Sequence, residues 1–214
     1  MTVICWFRRV LRLDDHPALV AAAQDRPVIP LVILDPAEAR DHPASAQRQA
    51  MALPDLDASL RRAGSRLVVR RGDPATVLAQ VIRDSGARAV HATQGSPFAG
   101  DAGLDAVAAG AGAQLHLHPL ADLVPRGSVL TGGGTRFKVF TPFATAWREH
   151  GWDEPTSAPR GVEWIEADTD GRVEAMLDKA ARECPIDLPT AGEDAARRRW
   201  ERFRENARRR RAEA

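Results

Sequence analysis

The sequence predicts an α/β protein: a Rossmann-like three-layer sandwich with a five-stranded parallel sheet, plus a C-terminal linker and helix. Three observations point there. Up to His118, short apolar runs alternate with segments of helical period, the pattern of a parallel sheet covered on both faces. Several of those segments carry start and stop signals, as at Asp73-Pro74 and at Gly64 and Gly86. An apolar fraction of 44% is enough for a globular core.

The apolar runs Val3–Phe7, Val28–Leu34, Leu67–Val69, Ala87–Ala92 and Leu115–Leu117 read as strands. Ala18–Ala23 is the first helix, opened by Asp14, Asp15 and Pro17, with an aspartate as its cap. Ala44–Ala63 is the second, with Leu53, Leu56 and Leu60 on one face. Pro54 falls inside it and predicts a kink or break, since it removes a donor and clashes with the preceding turn. The third begins at Asp73 and Pro74, buries Val77, Leu78, Val81 and Ile82, and ends at Gly86. The fourth spans about Asp101–Ala109. Right-handed crossovers between five such strands complete the sandwich.

Beyond it, Thr131–Thr135 is a glycine-rich tight turn, expected to join two short strands. It lacks the Lys-Ser/Thr of a phosphate-binding loop. Pro142 opens a helix through Trp147 to His150. Residues 1–150 therefore form the α/β domain, 151–191 a linker with one short helix at Val173–Arg182, and 192–214 a charged helix. That helix holds nine arginines, but glutamates interleave, and Trp200 and Phe203 make an apolar seam that needs a partner surface more than it needs nucleic acid.

Composition narrows the classes. A formal net charge of +1 gives no global attraction for nucleic acid. No apolar run approaches the ~20 residues of a membrane span. The N-terminus lacks a signal-peptide pattern, and two distant cysteines, Cys5 and Cys184, suit a reducing cytoplasm.

On the residues alone, chemistry is concentrated at the strands' carboxyl ends. The first strand delivers Arg8 and Arg9 there, where such sheets bind ligands; the pair equally suits a solvated loop. Asp35 closes the second strand, Arg48 lies on the first turn of the next helix, and Asp101 opens the fourth helix. Together they would line a mixed-charge cleft for a flat heteroaromatic ligand, or serve as two caps and one exposed arginine. His116 and His118 share a strand face, but no Cys, Asp or third His is spaced to complete a metal set, so no metal is expected. No nucleophile elbow or complete catalytic group is present.

The opening stretch also carries a resemblance. Trp6-Phe7-Arg8-Arg9-Val10-Leu11-Arg12-Leu13-Asp14-Asp15-His16-Pro17-Ala18-Leu19 resembles the signature W-F-R-R-D-L-R-L-x-D-N-P-A-L of the DNA photolyase/cryptochrome family. Gly134–Trp147 resembles its G-x-x-Y-x-V-F-T-P-F-x-x-x-W block. Pro30–Pro36 and Gly64–Pro74 fall between them in the family's order. The match covers residues 2–150, and 186–206 more weakly. It departs at Val10, where the family has an acidic residue beside the arginines, and at Phe98 and Gly103–Asp105, where it has Tyr and Arg-Arg-Asp.

The resemblance implies the family's N-terminal α/β part. That part can bind an antenna chromophore (a deazaflavin, folate or flavin), and Arg9, Leu34, Asp35, Arg48 and Asp101 fall in the segments that would hold it. FAD, the DNA surface and the redox tryptophans belong to a larger helical part of about 250 residues, expected to be absent here. Splitting of pyrimidine dimers, a carbon-carbon lyase activity, is then expected only with such a partner, contacted through Trp200 and Phe203, and DNA only through it. A stand-alone nucleotide-binding or protein-interaction module with the same fold is the alternative.

Overall fold

The computed structural model describes residues 1–25, 27–95, 101–120, 122–125, 127–169 and 189–212. Five strands form one parallel sheet: β1 (Val3–Trp6), β2 (Val28–Leu34), β3 (Val68–Arg71), β4 (Ala89–Thr93) and β5 (Gln114–His118), in the order β3-β2-β1-β4-β5. The helices are α1 (Pro17–Asp25), α2 (Pro36–Asp41), α3 (Pro43–Arg62), α4 (Pro74–Ser85), α5 (Leu104–Ala111), α6 (Phe140–His150) and α7 (Glu193–Ala212). The predicted fold class, an α/β sandwich on a five-stranded parallel sheet, is the one observed.

Alternation along the strands divides the core into two layers. Ile4, Trp6, Ile29, Leu31 and Val90 face α4 and α5, meeting Leu78, Ile82 and Ala108. Val3, Cys5, Phe7, Val28 and Val32 face the other way, meeting Leu19 of α1 and Leu53, Leu56 and Leu60 of α3. Burial pushes the Cys5 thiol far above its ordinary range, so it stays protonated and behaves as a small hydrophobe.

Several expected details differ. α3 passes through Pro54 without a break. The proline costs ~3 kcal/mol in a helix. Leu53, Leu56 and Leu60, all buried, each return about 1.5–3 kcal/mol by leaving water, so packing on the sheet outweighs the local penalty. No aspartate caps α1. The Leu19 N–H instead donates to His16 Nδ1 at 3.1 Å, while Asp15 stands at φ 50°. A short additional helix, α2, precedes α3, so Arg48 sits in the second turn of α3. The Thr131–Thr135 segment is a tight turn closed by Thr131 N–H on the Thr135 carbonyl at 2.8 Å, with no strand on either side. α6 begins at Phe140. The short helix expected at Val173–Arg182 lies outside the described residues.

The segment after α6 is fastened to the body. Asp15 N–H donates to the Thr156 carbonyl at 2.6 Å, and Ala158 N–H donates to Asp14 at 2.8 Å. That last bond is the main reason the Asp14 carboxyl lies below the usual carboxylate range. Trp164 bridges the open edge of β2 at Val28, and Ile165 N–H donates to the Val28 carbonyl at 2.9 Å. α7 is anchored through its first two turns, where Arg62 pairs with Asp194 at 3.4 Å and Arg197 pairs with Asp14. Asp55 of α3 accepts from Glu193 N–H at 2.7 Å and from Asp194 N–H at 3.2 Å, capping the helix from outside. Gly192 makes this approach possible: its φ is +103°, and a Cβ there would meet Asp55 Cβ at 2.6 Å. Farther along, Trp200 and Phe203 stack on each other at 5.6 Å and remain 59% and 61% exposed, so the apolar seam stays uncovered among the described residues.

Two outcomes follow from this packing. Gly192→Ala should cost at least about 2 kcal/mol, from left-handed strain plus the clash with Asp55, and release the start of α7; thermal melting with helical circular dichroism reads both. Burial depresses His16 from 6.5 to about 4, and burial likewise lowers His91 and His118. A histidine kept neutral when folded takes up a proton more readily when unfolded. Stability is therefore highest above pH 6.5 and falls as pH drops toward about 4. His16→Asn keeps an acceptor at the cap and should remove up to about 3 kcal/mol of that acid sensitivity, read from urea midpoints at pH 8 and pH 4.

Candidate functional site: the carboxyl-edge cleft

A cleft of about 1270 Å³ opens at the carboxyl edge of the sheet. Its wall is assembled from strand ends, loops and helix starts: Trp6 at the end of β1 and Arg8 to Arg12 after it, Ile33 and Asp35 at the end of β2, α2, the turns of α3 that carry Ser45, Arg48 and Gln49, and Gly192 and Glu193 at the head of α7. Strand order reverses between β1 and β4, and open α/β sheets bind ligands beside such a point.

The reversal point itself is bridged. Arg8 Nη1 donates to Asp101 Oδ1 at 2.5 Å, and Asp101 Oδ2 accepts from Gly95 N–H at 2.8 Å. Asp101 thus ties the loop after β4 to the end of β1. The helix α5 starts three residues later, with Gly103 at its cap, so Asp101 does not cap it by its side chain. Arg8 also lies over the Trp6 ring, 4.7 Å from its centroid, a contact that flattens the guanidinium onto an apolar surface. The missing acidic residue at Val10 is therefore compensated from a distance: Asp101 supplies the carboxylate for Arg8, and Val10 is buried as a hydrophobe.

With the gap between β1 and β4 closed, open space lies on the β2 side. Asp35 faces it while capping α2, its Oδ1 accepting from Ala37 N–H at 2.8 Å. Arg9 lines it and is exposed. Arg48 lines it too, donating to the Pro189 carbonyl at 3.3 Å across the mouth. Leu34 is placed differently: its side chain packs with the α1 and α3 core layer and is not part of the cleft wall. Of the five residues singled out, the structure brings Arg9, Asp35 and Arg48 to one cavity, sets Asp101 behind Arg8, and turns Leu34 into the core.

Two features were not legible in the sequence. Trp6 is 3% exposed at the cleft wall, and its indole Nε1 finds no hydrogen-bond partner among the described residues. Period-2 reading makes Trp6 a core residue, and it is one; only the cleft gives its N–H significance. The head of α7 also closes one side of the cavity through Ala191, Gly192, Glu193 and Ala196. Nothing local in the sequence announces that contact, which depends on Asp55.

Comparison with known proteins agrees with this geometry. The family model "DNA photolyase" matches residues 3–160. The deoxyribodipyrimidine photo-lyase of Streptomyces griseus is 39% identical over 165 residues, covering 73% of this chain and 36% of that protein. That of a Thermus thermophilus strain is 34% identical over 199 residues, covering 91% of this chain and 43% of its own length. Among solved structures, a class III photolyase from Agrobacterium tumefaciens superposes with a TM-score of 0.78 at 28% identity, over 94% of this chain and 44% of that one. An archaeal photolyase from Sulfolobus tokodaii shares the fold with a TM-score of 0.72 at 24% identity. The chain spans less than half the length of these relatives. With the matched region covering the whole sheet and every loop that builds the cleft except the head of α7, the chain belongs to the DNA photolyase family, as its N-terminal α/β domain.

Proposed function

We propose that this chain is the antenna-chromophore-binding part of a deoxyribodipyrimidine photolyase-like protein, and that it serves light-dependent DNA repair only together with a helical FAD-binding part. The observation that supports it most is the carboxyl-edge cleft beside the bridged strand reversal. A solved relative in this fold is described as holding two FAD molecules, with implication of a novel light-harvesting cofactor.

The residues present fit such a ligand. A cavity of about 1270 Å³ exceeds what a three-ring heterocycle needs. Its wall combines apolar surface from Ile33, Ala52 and Leu104 with charged groups at the rim. Arg9 and Arg48 suit a phosphate or carboxylate tail, and the free Oδ2 of Asp35 can accept from a ring N–H. The orphaned Trp6 Nε1 is a donor held against the same wall, under Arg8. When bound, the chromophore would supply absorption of near-ultraviolet or visible light and hand the excitation on. The chain's own residues bind it, orient it and shield its rings from water.

Dimer splitting is assigned to the partner part. In this reading the partner covers the exposed stack of Trp200 and Phe203. Among the described residues no helix is long and apolar enough to cross a membrane.

The purified chain should bind riboflavin, FMN, a deazaflavin or methenyltetrahydrofolate, with a shifted absorption band and quenched fluorescence. Asp35→Asn keeps the α2 cap and should weaken binding about tenfold or more, as should Arg48→Ala, measured by fluorescence titration. AMP or ATP binding by a chain indifferent to all four pigments would point instead to a stand-alone nucleotide-binding module. Trp200→Ala and Phe203→Ala should each change stability by no more than about 0.5 kcal/mol, because both side chains are exposed. The pair should abolish association with a helical FAD-binding part supplied in trans, read by analytical ultracentrifugation.

A further inference from the structure

Beyond its second turn α7 carries an apolar seam with no cover among the described residues, and its charges are not spread evenly round that seam. Nine arginines against four carboxylates give Glu193–Ala212 a charge of +5, in a chain whose formal net charge is +1. The glutamates interleave along the sequence, but helical geometry parts them from the seam. Each residue of an α-helix advances about 100° round the axis. Trp200 and Phe203 then share a face, with Ala207 between them. Arg204 and Arg211 fall within about 40° of Trp200, and Arg199 and Arg210 within about 40° of Phe203, on the outer side of each ring. Glu201 and Glu205 stand about 100° or more from both rings.

Both flanks of the seam are therefore arginine. Arg204, Arg210 and Arg211 are exposed, and none has a carboxylate partner among the described residues. The acidic residues at the start of the helix are already engaged, Glu193 by Arg197 at 2.7 Å and Asp194 by Arg62 at 3.4 Å.

We propose that this seam is the docking face for an acidic amphipathic helix of another polypeptide, whose apolar side chains cover Trp200 and Phe203 and whose carboxylates pair with the arginines on both flanks. This partner chemistry rests on the reading above that a helical part covers the stack.

An exposed apolar strip along one helix is covered most completely by a second helix, and the charges beside the strip decide which helix fits. Two arginine flanks call for two flanks of carboxylates. A second copy of this chain does not supply them. Laid on each other in either direction, two such seams would set arginine against arginine. Nucleic acid would answer the arginines but leave the strip uncovered. Bases stack on open ring faces. Trp200 and Phe203 already turn one face of each ring on the other, 5.6 Å apart and inclined by 20°. The seam is also preformed. Asp55 caps the start of α7 and Arg197 pairs with Asp14, so docking does not have to order the helix that receives it.

The test uses the full chain and three labelled probes: a synthetic amphipathic helical peptide with a leucine face bordered by glutamates, the same peptide with lysines for the glutamates, and a short DNA duplex. Fluorescence anisotropy should show saturable binding of the glutamate peptide, weakened at least about tenfold between low and high NaCl as screening shortens the reach of the flanking charges. The lysine peptide should bind at least about a hundredfold more weakly than the glutamate peptide. Arg204→Glu combined with Arg211→Glu should invert that order. Arg202→Glu combined with Arg209→Glu makes the same change of charge on the back of the helix and should preserve it. All four side chains are exposed, so helical circular dichroism and melting should match the parent. If a variant unfolds, the order of the two peptides and its salt dependence on the parent decide the matter. Absence of saturable binding by the glutamate peptide overturns the proposal. So does equal binding of both peptides, a duplex that binds more tightly than the glutamate peptide, or self-association that Trp200→Ala removes. Pigment titration on the same samples separates this face from the cleft. A chain that takes pigment but not the glutamate peptide loses the acidic partner and keeps its antenna assignment. A helical FAD-binding part that associates in trans equally at both salt levels and with the Arg204 and Arg211 reversal does the same.

Discussion

Strand β1 is paired along both edges and covered on both faces, and the other parts of the molecule are arranged around that confinement. Val3–Trp6 bonds to β2 on one side and β4 on the other, and its side chains are divided between the two core layers. A strand with no free edge and no exposed face can show chemistry only where it ends. The chain leaves it as Arg8 and Arg9, so both guanidinium groups emerge at the carboxyl edge beside the strand reversal. Burial of four residues thus determines where the cleft lies.

What emerges there is then sorted by electrostatics. A guanidinium at a partly covered site needs a carboxylate or solvent. Arg8 takes Asp101 and the face of Trp6, and becomes part of the wall. Arg9 stays exposed at the rim. The pairing closes the gap between β1 and β4 and directs ligand space toward β2, α3 and the head of α7. That head is held by Asp55, by the pairing of Arg62 with Asp194 and of Arg197 with Asp14, and by a glycine that allows the close approach. The cleft's far wall therefore depends on contacts between residues more than 130 positions apart. The rest of α7 reaches away with its two aromatic rings exposed, a surface suited to another polypeptide.

The same geometry gathers His91, His116 and His118 on the α1 face of the sheet, where the rings stack and hydrogen-bond with one another, and among the described residues no group of three or more His, Cys, Asp or Glu side chains is placed to hold a metal ion. Parallel register places His91 opposite His116, and alternation keeps His118 on that face. α1 runs back along the sheet and leaves Asp25 beside His91. Spacing along one strand can show a pair. The third member and the carboxylate come from the neighbouring strand and the covering helix.

Strands, most helices and the layer order were legible because the signals are local: apolar runs with period 2, apolar stripes with period 3.6, Asp-Pro starts and glycine stops. The family was legible because several blocks stand in order along the chain. Among the singled-out residues, the placing of Arg9, Asp35 and Arg48 at the carboxyl edge was legible from their positions just after a strand, at a strand end and on an early helical turn, since those positions project to that edge in any sheet of this kind. The rest was not, for one reason: each outcome depended on a partner far away in sequence. Burial of the leucine stripe carries α3 through Pro54 despite the proline's local cost. Asp101 answers Arg8 rather than capping α5, because a partly buried cation has a stronger claim on it than free backbone N–H groups do. His16 rather than an aspartate caps α1, Leu34 turns inward, and His91 completes a cluster. The amino-acid sequence by itself determined the periodicities, and with them the class of fold and the edge at which chemistry would gather. Tertiary structure alone decided which charges pair and which face open space, because Coulombic and packing energies depend on distance in three dimensions, and distance along the chain does not report it.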